Sequence, residues 1–505
     1  MMRHHRVAIA GMGLSALTTA ARLTELGVKD IALYADGSGG TPFIAAINFV
    51  LPDNPYGDTP ERYEEDMLQA GYDLGDRALV HEMASRTLDG YQLLRRWGVN
   101  FAVNDDGSTK LRHVSGHSCP RSLCRTDILI GREILREMIP RLEKAGVEFH
   151  RGCEVVELLA ENGRVNGFTV RENGQLTPVY AQVTVAAWGG AGHLLGESTY
   201  PMDILGNTLG MAKRAGASMV DMEFLEFEPL VILSPPGAAG EASPTAMLGE
   251  GGILTNALGE RFLLRSRPQG EAGASKSLIN REAWKEIRAG KGTPHGGFYL
   301  DLRPIDRKVL ESYPWFLNRL LRNGIDPGRD PLEVGPLAHS FSGGILVDTD
   351  YASTVKGLYA VGEACGGIHG ACRSAGNAGS QAALSGMLCA EGIQRSADWT
   401  YRVPETPVSY REDSEVRANL LAEAKSIGAE ALSIYRNGDT LQKASNRLEE
   451  LLSDPALERD SYTAQCVCAI SMMVRAALER RESRGTHSRT DYPETDPAFE
   501  RKIVI

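Results

Sequence analysis

The sequence predicts an α/β protein: a Rossmann-like dinucleotide-binding domain, interrupted by an inserted α+β domain and followed by a helical domain. A β-α-β pattern around a glycine-rich turn occupies residues 6–34. Between about 222 and 335 the composition changes to a Pro- and Gly-rich region with mixed short strands. From about 405 to 485 the pattern is helical throughout. These three observations together predict the fold class.

The composition limits the classes of partner and compartment. A chain of 505 residues is too long for a single core, and its 42% hydrophobic and 24% charged residues are ordinary for a globular protein. The net charge of -11, with no basic stripe, argues against a nucleic acid partner. No run of 18 apolar residues and no signal-peptide pattern occurs, so we expect no transmembrane segment and a cytoplasmic location. The eight scattered cysteines predict reduced thiols and no metal site.

The first β-α-β unit predicts a dinucleotide site. A buried strand at 6–10 is followed by the turn Gly-Met-Gly-Leu-Ser-Ala, a helix closed by Gly27, and a second strand at 31–34. In this G-x-G-x-x-A fingerprint the first glycine makes the tight turn, the second lets pyrophosphate approach the backbone, and the alanine permits close helix packing. The predicted cofactor contacts of the turn are Gly11, Gly13, Leu14 and Ser15.

The loop after the second strand carries two further candidates. Asp36 lies just past the strand and is either the acidic partner of a ribose or a solvated loop carboxylate. Gly40, farther along the same loop, is a candidate cofactor contact.

The following elements alternate between helices and strands. We expect helices at 57–97, 131–145, 207–217 and 277–289, and strands at 147–158, 164–170 and 183–187. Asn162-Gly163 is a hairpin turn signal between two of these strands. The last strand ends in a second glycine-rich turn, where Gly189 and Gly190 are candidate cofactor contacts.

The segment from 339 to 386 carries the densest group of candidate site residues. A strand at 357–361 is followed by Glu363, whose position suits binding of sugar hydroxyls, although an exposed loop acid is the alternative. Arg373 precedes a turn that opens a helix of small residues, and a guanidinium beside a helix N-terminus suits an anionic ligand. The candidate cofactor contacts at the start of this helix are Asn377, Ala378 and Ser380.

This segment resembles the end of the flavin-binding domain in the succinate dehydrogenase/fumarate reductase flavoprotein family, which includes L-aspartate oxidase. The second glycine-rich turn is similar too, with Trp188 where the family has Thr, and residues 478–493 resemble its C-terminal helical domain. The resemblance therefore implies a flavin-binding domain formed by residues 1–221 and 336–400, a capping domain at 222–335, and a C-terminal helical domain at 405–505. It also implies that the N-terminus of the 377 helix faces the flavin pyrimidine ring.

The resemblance implies FAD as the cofactor, bound without a covalent link. Family members often attach the flavin through a His in the loop after the second strand. No His occurs between His5 and His81, so this link has no donor.

Two residues occupy the family's substrate-binding positions. His339 stands at the substrate-binding His, and Arg373 stands at the Arg that binds the substrate carboxylate. A guanidinium fork is the natural receptor for a carboxylate. The alternatives are a core histidine and a structural ion pair.

Three positions depart from the family pattern. Lys276 replaces a catalytic Arg, Glu228 replaces a His, and Pro244-Thr245 replaces a Thr-Glu pair. A partly desolvated Lys can titrate and act as an acid or base, which an Arg does only transiently. Glu228 would repel a dicarboxylate and favour an ammonium or a hydroxyl donor. The alternative is that Glu228 and Lys276 are surface residues or pair with each other.

A further basic cluster contains His117 and Arg121. It aligns loosely with a His/Arg-containing loop of the family. A second anion site, in which both residues contact the substrate, or support for a flavin loop are the two interpretations.

The sequence thus predicts a flavin-dependent oxidoreductase. We expect hydride exchange between flavin N5 and a small carboxylate-bearing substrate other than fumarate or succinate, with Arg373 and His339 holding the substrate and Lys276 as acid or base. The alternatives are L-aspartate oxidase, a fumarate reductase or succinate dehydrogenase flavoprotein, and a flavin electron-transfer subunit with an iron–sulfur partner. The sequence leaves open the substrate, the direction, the electron acceptor and the oligomeric state.

Overall fold

The structure, a computed structural model, describes residues 2–114, 116–400 and 409–505. The strands are β1 (Arg3–Ala10), β2 (Ile31–Ala35), β3 (Ile47–Asn48), β4 (Leu111–Arg112), β5 (Ser122–Leu123), β6 (Glu148–Arg151), β7 (Cys153–Glu161), β8 (Arg164–Glu172), β9 (Gln175–Ala186), β10 (Met219–Val220), β11 (Leu225–Ser234), β12 (Ile253–Thr255), β13 (Phe298–Asp301), β14 (Leu332–Phe341), β15 (Gly344–Ile345), β16 (Leu358–Ala360), β17 (Tyr435–Arg436) and β18 (Ser488–Arg489).

The helices are α1 (Leu14–Glu25), α2 (Pro60–Ala70), α3 (Arg77–Ser85), α4 (Thr87–Arg96), α5 (Ile130–Lys144), α6 (Asn207–Arg214), α7 (Ala246–Gly249), α8 (Lys276–Glu286), α9 (Arg307–Glu311), α10 (Pro314–Arg322), α11 (Asn377–Ser396), α12 (Ser414–Val416), α13 (Ala422–Ala431), α14 (Gly438–Leu452) and α15 (Ser461–Glu479). Short 3₁₀ or π segments lie at Thr41–Phe43, Phe262–Arg265, Ile287–Lys291, Gly362–Ala364, Arg417–Leu421, Pro455–Arg459 and Pro497–Phe499.

A seven-stranded sheet places the predicted glycine-rich turns at one edge. Its order is β6-β2-β1-β9-β8-β7, with β16 paired to β9. Strands β1, β9 and β16 are parallel, so that Ala10 lies beside Ala186 and Ala186 lies beside Ala360. The inner strands are buried on both faces, which explains their continuous apolar runs. Because parallel strands end at the same edge, the three turns that follow them are neighbours, and the Rossmann-like prediction is confirmed.

Small residues let α1 and α11 pack closely. A Cβ on Gly386 would lie 2.2 Å from Thr18 Oγ1 and 2.3 Å from the Ser15 carbonyl oxygen, so only glycine fits this crossing. The small-residue pattern of the predicted helix after Arg373 therefore reflects this contact with α1.

The predicted hairpin is confirmed, and one predicted strand is corrected. β7 and β8 pair antiparallel around Asn162 and Gly163, which have φ of 51° and 73° as a type I′ turn requires. The expected strand at 147–158 is two strands, because Gly152 turns the chain at φ 70°. The first of them, β6, pairs parallel with β2.

The chain divides into two compact units. The first unit comprises residues 1–196, 201–224 and 341–505; the inserted unit comprises residues 197–200 and 225–340. The inserted unit contains a four-stranded sheet of order β11-β14-β13-β12 and its own apolar core. Members of that core include Leu254, Phe298 and Leu300 on the sheet and Ile279 on α8.

The C-terminal helices belong to the first unit. A Cβ on Gly210 of α6 would lie 1.9 Å from the Gln465 carbonyl oxygen, which shows how closely α6 and α15 approach. Gln465 also donates to the Val156 carbonyl and accepts from Asn207, each at 2.8 Å. The expected helical run at 405–485 is interrupted by β17, which pairs with β18, and its first residues lie outside the described part of the chain. Among the residues described, no helix combines the length and apolar character that a membrane crossing needs.

Candidate functional site

The three glycine-rich turns meet at the carboxyl edge of the parallel strands. Gly11 has φ of +134°, and a Cβ there would lie 2.2 Å from the Ala187 carbonyl oxygen. A Cβ on Gly190 would lie 2.8 Å from the Glu363 carboxyl carbon, and one on Gly362 would lie 2.7 Å from Ser15 Oγ. Segments that are far apart in sequence thus form one cradle in which no added side chain fits.

Helix α1 begins at this cradle. Its N-cap residue is Gly13, which has no side-chain cap. The Leu14 amide donates to Thr41 Oγ1 at 2.8 Å, so Thr41, which the sequence analysis missed, fixes the loop over the helix start. A helix N-terminus without a side-chain cap suits a phosphate group.

The carboxylates predicted for sugar hydroxyls occupy different environments. Glu363 is half-buried, and its Oε1 accepts from the Phe341 amide at 2.8 Å. Asp36 and Gly40 are exposed in the loop after β2. Asp203, which carried no sequence signal, accepts from the Gly39 amide at 2.9 Å and so holds this loop.

These residues fit FAD. The Trp188 indole Nε1 is buried and has no hydrogen-bond partner among the described residues. Since buried donors are normally hydrogen-bonded, this N–H is available to an acceptor atom of a ligand. Together with the glycine cradle, the amides of α1 and the carboxylate of Glu363, it forms the donor and acceptor set that phosphates and hydroxyls of a dinucleotide need. The loop between Asp36 and Ala46 contains no His that could link the flavin covalently.

The start of α11 is held from inside the protein. Its N-cap is Gly376 in the left-handed region at φ 79°, again without a side-chain cap. The Asn377 side-chain oxygen accepts from Tyr63 Oη at 2.8 Å and from Asn48 Nδ2 at 2.5 Å. Ser380 Oγ accepts from the Asn48 amide at 2.9 Å, whereas Ala378 is exposed. The side chains of Asn377 and Ser380 thus bond to the protein, so the backbone of this helix start is the part left for the predicted cofactor contact.

Arg373 lies in the first unit, immediately before α11. It is half-buried, and its Nη1 donates to the Ser374 carbonyl at 3.2 Å. Four residues earlier, His369 Nε2 lies 2.7 Å from Gln381 Oε1. The guanidinium predicted to bind a carboxylate thus stands beside the open N-terminus of α11.

His117 and Arg121, the predicted second anion site or flavin-loop support, lie in a buried hydrogen-bond network. The Arg121 side chain is fully buried and bonds to both oxygens of Asp58 at 2.6 and 2.9 Å, and it also pairs with Asp66. Two carboxylates therefore compensate the charge of Arg121 inside the protein. Burial, with a further contribution from the nearby Arg121 guanidinium, lowers the pKa of His117 to about 4, so the imidazole is neutral near pH 7.

The inserted unit carries His339, Lys276 and Glu228. His339 lies on β14, with its Nδ1 2.7 Å from Thr199 Oγ1. Lys276 is the first residue of α8, behind a Ser275 side-chain cap. Its Nζ forms an ion pair with Glu228 Oε2, in which the Glu228 side chain is 5% exposed and that of Lys276 33% exposed. The alternative that the two residues pair with each other is thus what the structure contains.

Two buried acceptors lie around this ion pair. Glu228 Oε1 and Asn280 Oδ1 are buried and have no hydrogen-bond partner in the part of the chain that the structure describes. Asn280 lies one helical turn after Lys276, and its Nδ2 donates to the carbonyl of Phe227, the residue before Glu228, at 2.7 Å. Asn280 was not among the predicted site residues, although its i+4 spacing from Lys276 places it on the same helix face.

Comparisons with known proteins agree with this geometry. A family model of the FAD binding domain matches residues 6–378, and one of the fumarate reductase flavoprotein C-terminus matches residues 456–502. L-aspartate oxidase of Streptomyces coelicolor is 30% identical over 99% of this chain and 90% of its own length. A fumarate reductase (CoM/CoB) subunit of Methanothermobacter marburgensis is 29% identical, over 89% of this chain and 86% of its own length.

Solved structures show the same fold over almost the whole chain. Sdh1 of Mycobacterium smegmatis, in complex with UQ1, matches with a TM-score of 0.84 and 26% identity over 99% of this chain and 91% of that one. E. coli quinol fumarate reductase also gives a TM-score of 0.84, at 24% identity over 99% of this chain and 94% of that one. The predicted fold class and cofactor are confirmed, and the chain belongs to the succinate dehydrogenase/fumarate reductase flavoprotein family of FAD-dependent oxidoreductases.

Proposed function

We propose that this enzyme exchanges a hydride between its flavin and a small carboxylate-bearing substrate other than fumarate or succinate, one that carries an amine or a hydroxyl group. The observation that carries the proposal is the ion pair of Lys276 with the buried Glu228, whose other oxygen has no donor among the described residues. When bound, FAD supplies the hydride acceptor or donor at N5.

We assign the substrate carboxylate to Arg373 and His339. Arg373 can offer two parallel N–H groups to a carboxylate, and the nearby N-terminus of α11 favours negative charge. His339 is oriented by its contact with Thr199, which supports a fixed direction for the other ring nitrogen.

We assign proton transfer to Lys276. The ion pair with Glu228 holds Lys276 Nζ in place, and an amine at this position can deliver a proton to a substrate carbon. In the opposite direction the same amine takes the proton after it has lost its own. Glu228 orients Nζ in both cases.

The acceptors of the inserted unit favour a substrate with donors. Two like unit charges about 4 Å apart repel by about 4 kcal/mol at an effective dielectric constant of about 20. A second substrate carboxylate beside Glu228 would meet this repulsion. An ammonium or hydroxyl would instead satisfy Glu228 Oε1 and Asn280 Oδ1, whose burial without a donor is costly.

Two other functions have specific support. L-aspartate oxidase activity is favoured by the 30% identity to a relative of that name over nearly the full chain. A flavoprotein that passes electrons to an iron–sulfur partner is favoured by the relative that is named as one subunit of a fumarate reductase.

Anaerobic flavin spectroscopy separates these functions. Enzyme photoreduced without oxygen would be mixed with fumarate, iminosuccinate analogues and other enoates, and oxidised enzyme would be mixed with L-aspartate and other amino and hydroxy acids. We expect rapid flavin oxidation or reduction only with compounds that carry an amine or hydroxyl. Rapid reoxidation by fumarate would contradict the proposed specificity, and reactivity confined to L-aspartate would select the oxidase.

A further inference from the structure

A buried hydrogen-bond relay connects the His117 loop to the residues that follow Arg373. Arg121 only donates hydrogen bonds, so its contact at 3.1 Å requires His117 Nδ1 to accept. A neutral imidazole with an accepting Nδ1 carries its proton on Nε2. This Nε2 lies 2.9 Å from the Ala375 carbonyl oxygen and therefore donates to it. Asn48 Nδ2 lies 3.0 Å from the same ring nitrogen, but its two hydrogens are used by shorter bonds to the Ala375 carbonyl and to Asn377 Oδ1.

Carboxylates fix the far end of the relay. Asp58 binds Arg121 through both oxygens, and Asp66 pairs with its Nη1. Asp66 also accepts from the Ser118 amide at 2.9 Å and from Ser118 Oγ at 3.0 Å. The backbone beside His117 and the tautomer of its ring are thus set by the same pair of acids.

The near end of the relay is the linker 374–377, which joins Arg373 to α11. Asn48 Nδ2 donates to the Ala375 carbonyl at 2.8 Å, and the Asn377 side chain accepts from the same group. Gly116 adds a close approach, because a Cβ there would lie 3.2 Å from Ser374 Oγ at a φ of +82°. The linker is therefore held by side chains of β3 and of the His117 loop.

We propose that His117 is a positioning residue: its Nε2–H holds the Ala375 carbonyl and so sets the linker that orients Arg373 and the start of α11. His117 then affects the proposed substrate site through the backbone of Ala375, without contacting the substrate. Arg121 fixes the tautomer of the imidazole. This role rests on the proposed function and extends it, because it means that the backbone next to Arg373 is already held in place before a carboxylate binds.

Two amide substitutions separate the two contacts of His117. In His117→Gln the amide nitrogen can reach the place of Nε2 and donate to Ala375. In His117→Asn the shorter side chain can still accept from Arg121 but does not reach Ala375. Hydrogen–deuterium exchange of the FAD-loaded enzyme would be measured for the linker amides and for peptides of the inserted unit, which serve as the internal control.

We expect His117→Asn to accelerate exchange in the linker about tenfold, as loss of one buried hydrogen bond implies, and His117→Gln to restore it within about threefold. Equal exchange in His117→Asn and the wild type would overturn the proposal. Equal loss in both variants would also overturn it, as would acceleration spread over all peptides.

A second readout concerns Arg373 and rests on the proposed carboxylate site. Propionate, used as a probe, would be titrated against the flavin absorbance of the holoenzyme. We expect its Kd to rise about tenfold in His117→Asn and to return towards the wild-type value in His117→Gln. If Arg373→Met leaves propionate binding unchanged, the carboxylate site itself is wrong, and the exchange measurement still decides the role of His117.

Discussion

Replacement of Glu228 by Gln tests the substrate specificity most directly. The substitution keeps the size of the side chain and removes its charge, so that Lys276 loses its counter-ion while Asn280 keeps its bond to Phe227. Because Lys276 is one-third exposed, water can solvate it, and we expect the fold to tolerate the change. The effect should appear in substrate selection.

The expected change in reactivity with fumarate follows from the burial of the Glu228 charge. Full repulsion of a second carboxylate at about 4 Å would be about 4 kcal/mol, and Lys276 on the other oxygen offsets part of this. We expect reoxidation of reduced Glu228→Gln enzyme by fumarate to become at least about tenfold more efficient. Loss of a charge-assisted hydrogen bond should make kcat/KM for an amine- or hydroxyl-bearing acid about tenfold lower.

Anaerobic stopped-flow measurements of flavin absorbance give both rates. Glu260→Gln is the matched control, because Glu260 forms an exposed ion pair with Lys291 in the same unit. A fumarate preference that stays within about threefold of the wild type in Glu228→Gln would show that Glu228 does not exclude a second carboxylate. So would the same shift in Glu260→Gln.

Four further outcomes are expected. Lys276→Met should abolish flavin reduction or oxidation by substrate while the substrate Kd stays within about threefold. Lys285→Met on the same helix should change neither the rate nor the Kd. Single-turnover kinetics give the rate, and titration gives the Kd. Gly11→Ala should lose FAD, measured as the flavin-to-protein ratio, since its Cβ would lie 2.2 Å from a carbonyl oxygen. Gly249→Ala, in the inserted unit and with open space at that position, should keep it. Acid denaturation should release all flavin from the chain, because the loop after β2 has no His, and flavin retained on the precipitate would disprove non-covalent binding. Finally, His117 faces Arg121, Asp58, Asp66 and Tyr63, and its pKa of about 4 lies below the usual 6.5. The neutral imidazole therefore contributes about 3 kcal/mol to the free energy of unfolding above pH 6.5, and this contribution is lost as the pH falls towards 4. Denaturant titrations at several pH values should show this dependence in the wild type and not in His117→Gln.

Local pattern and strand direction together made the cofactor cradle predictable. The turn at Gly11 and Gly13 follows from a motif within one β-α-β unit, and sequence alone identifies it. The turns at Gly190 and Glu363 could be placed beside it because parallel strands bring their carboxyl ends to one edge. The elements that carry FAD binding are therefore encoded in short, regular segments.

Pairings between distant polar residues could not be predicted. Arg121 is a basic residue in a basic stretch, and the partners that neutralise it, Asp58 and Asp66, lie 63 and 55 residues away in sequence. No periodicity connects them. The break of the C-terminal helical region at β17 has the same cause, since its partner β18 lies 53 residues farther along the chain. Such contacts depend on tertiary packing, which a local pattern does not record.

At positions 228, 245 and 276 of the inserted unit, this chain keeps the number of charged groups of the family pattern but places the carboxylate at a different position. The family pattern implied by the resemblance has an Arg, a His and the Glu of a Thr-Glu pair, where this chain has Lys276, Glu228 and Thr245. One cation and one carboxylate remain in each case, so an altered net charge does not explain a new specificity. In this chain the carboxylate is Glu228 of β11, which adjoins the cation Lys276 and has a second, buried oxygen without a donor among the described residues. A lysine tolerates this arrangement because its single ammonium can serve the pair and still exchange a proton, whereas a guanidinium keeps all of its protons. The Arg-to-Lys and His-to-Glu changes are therefore best understood as one coupled change, and either one alone would leave a buried charge or an unsuitable acid.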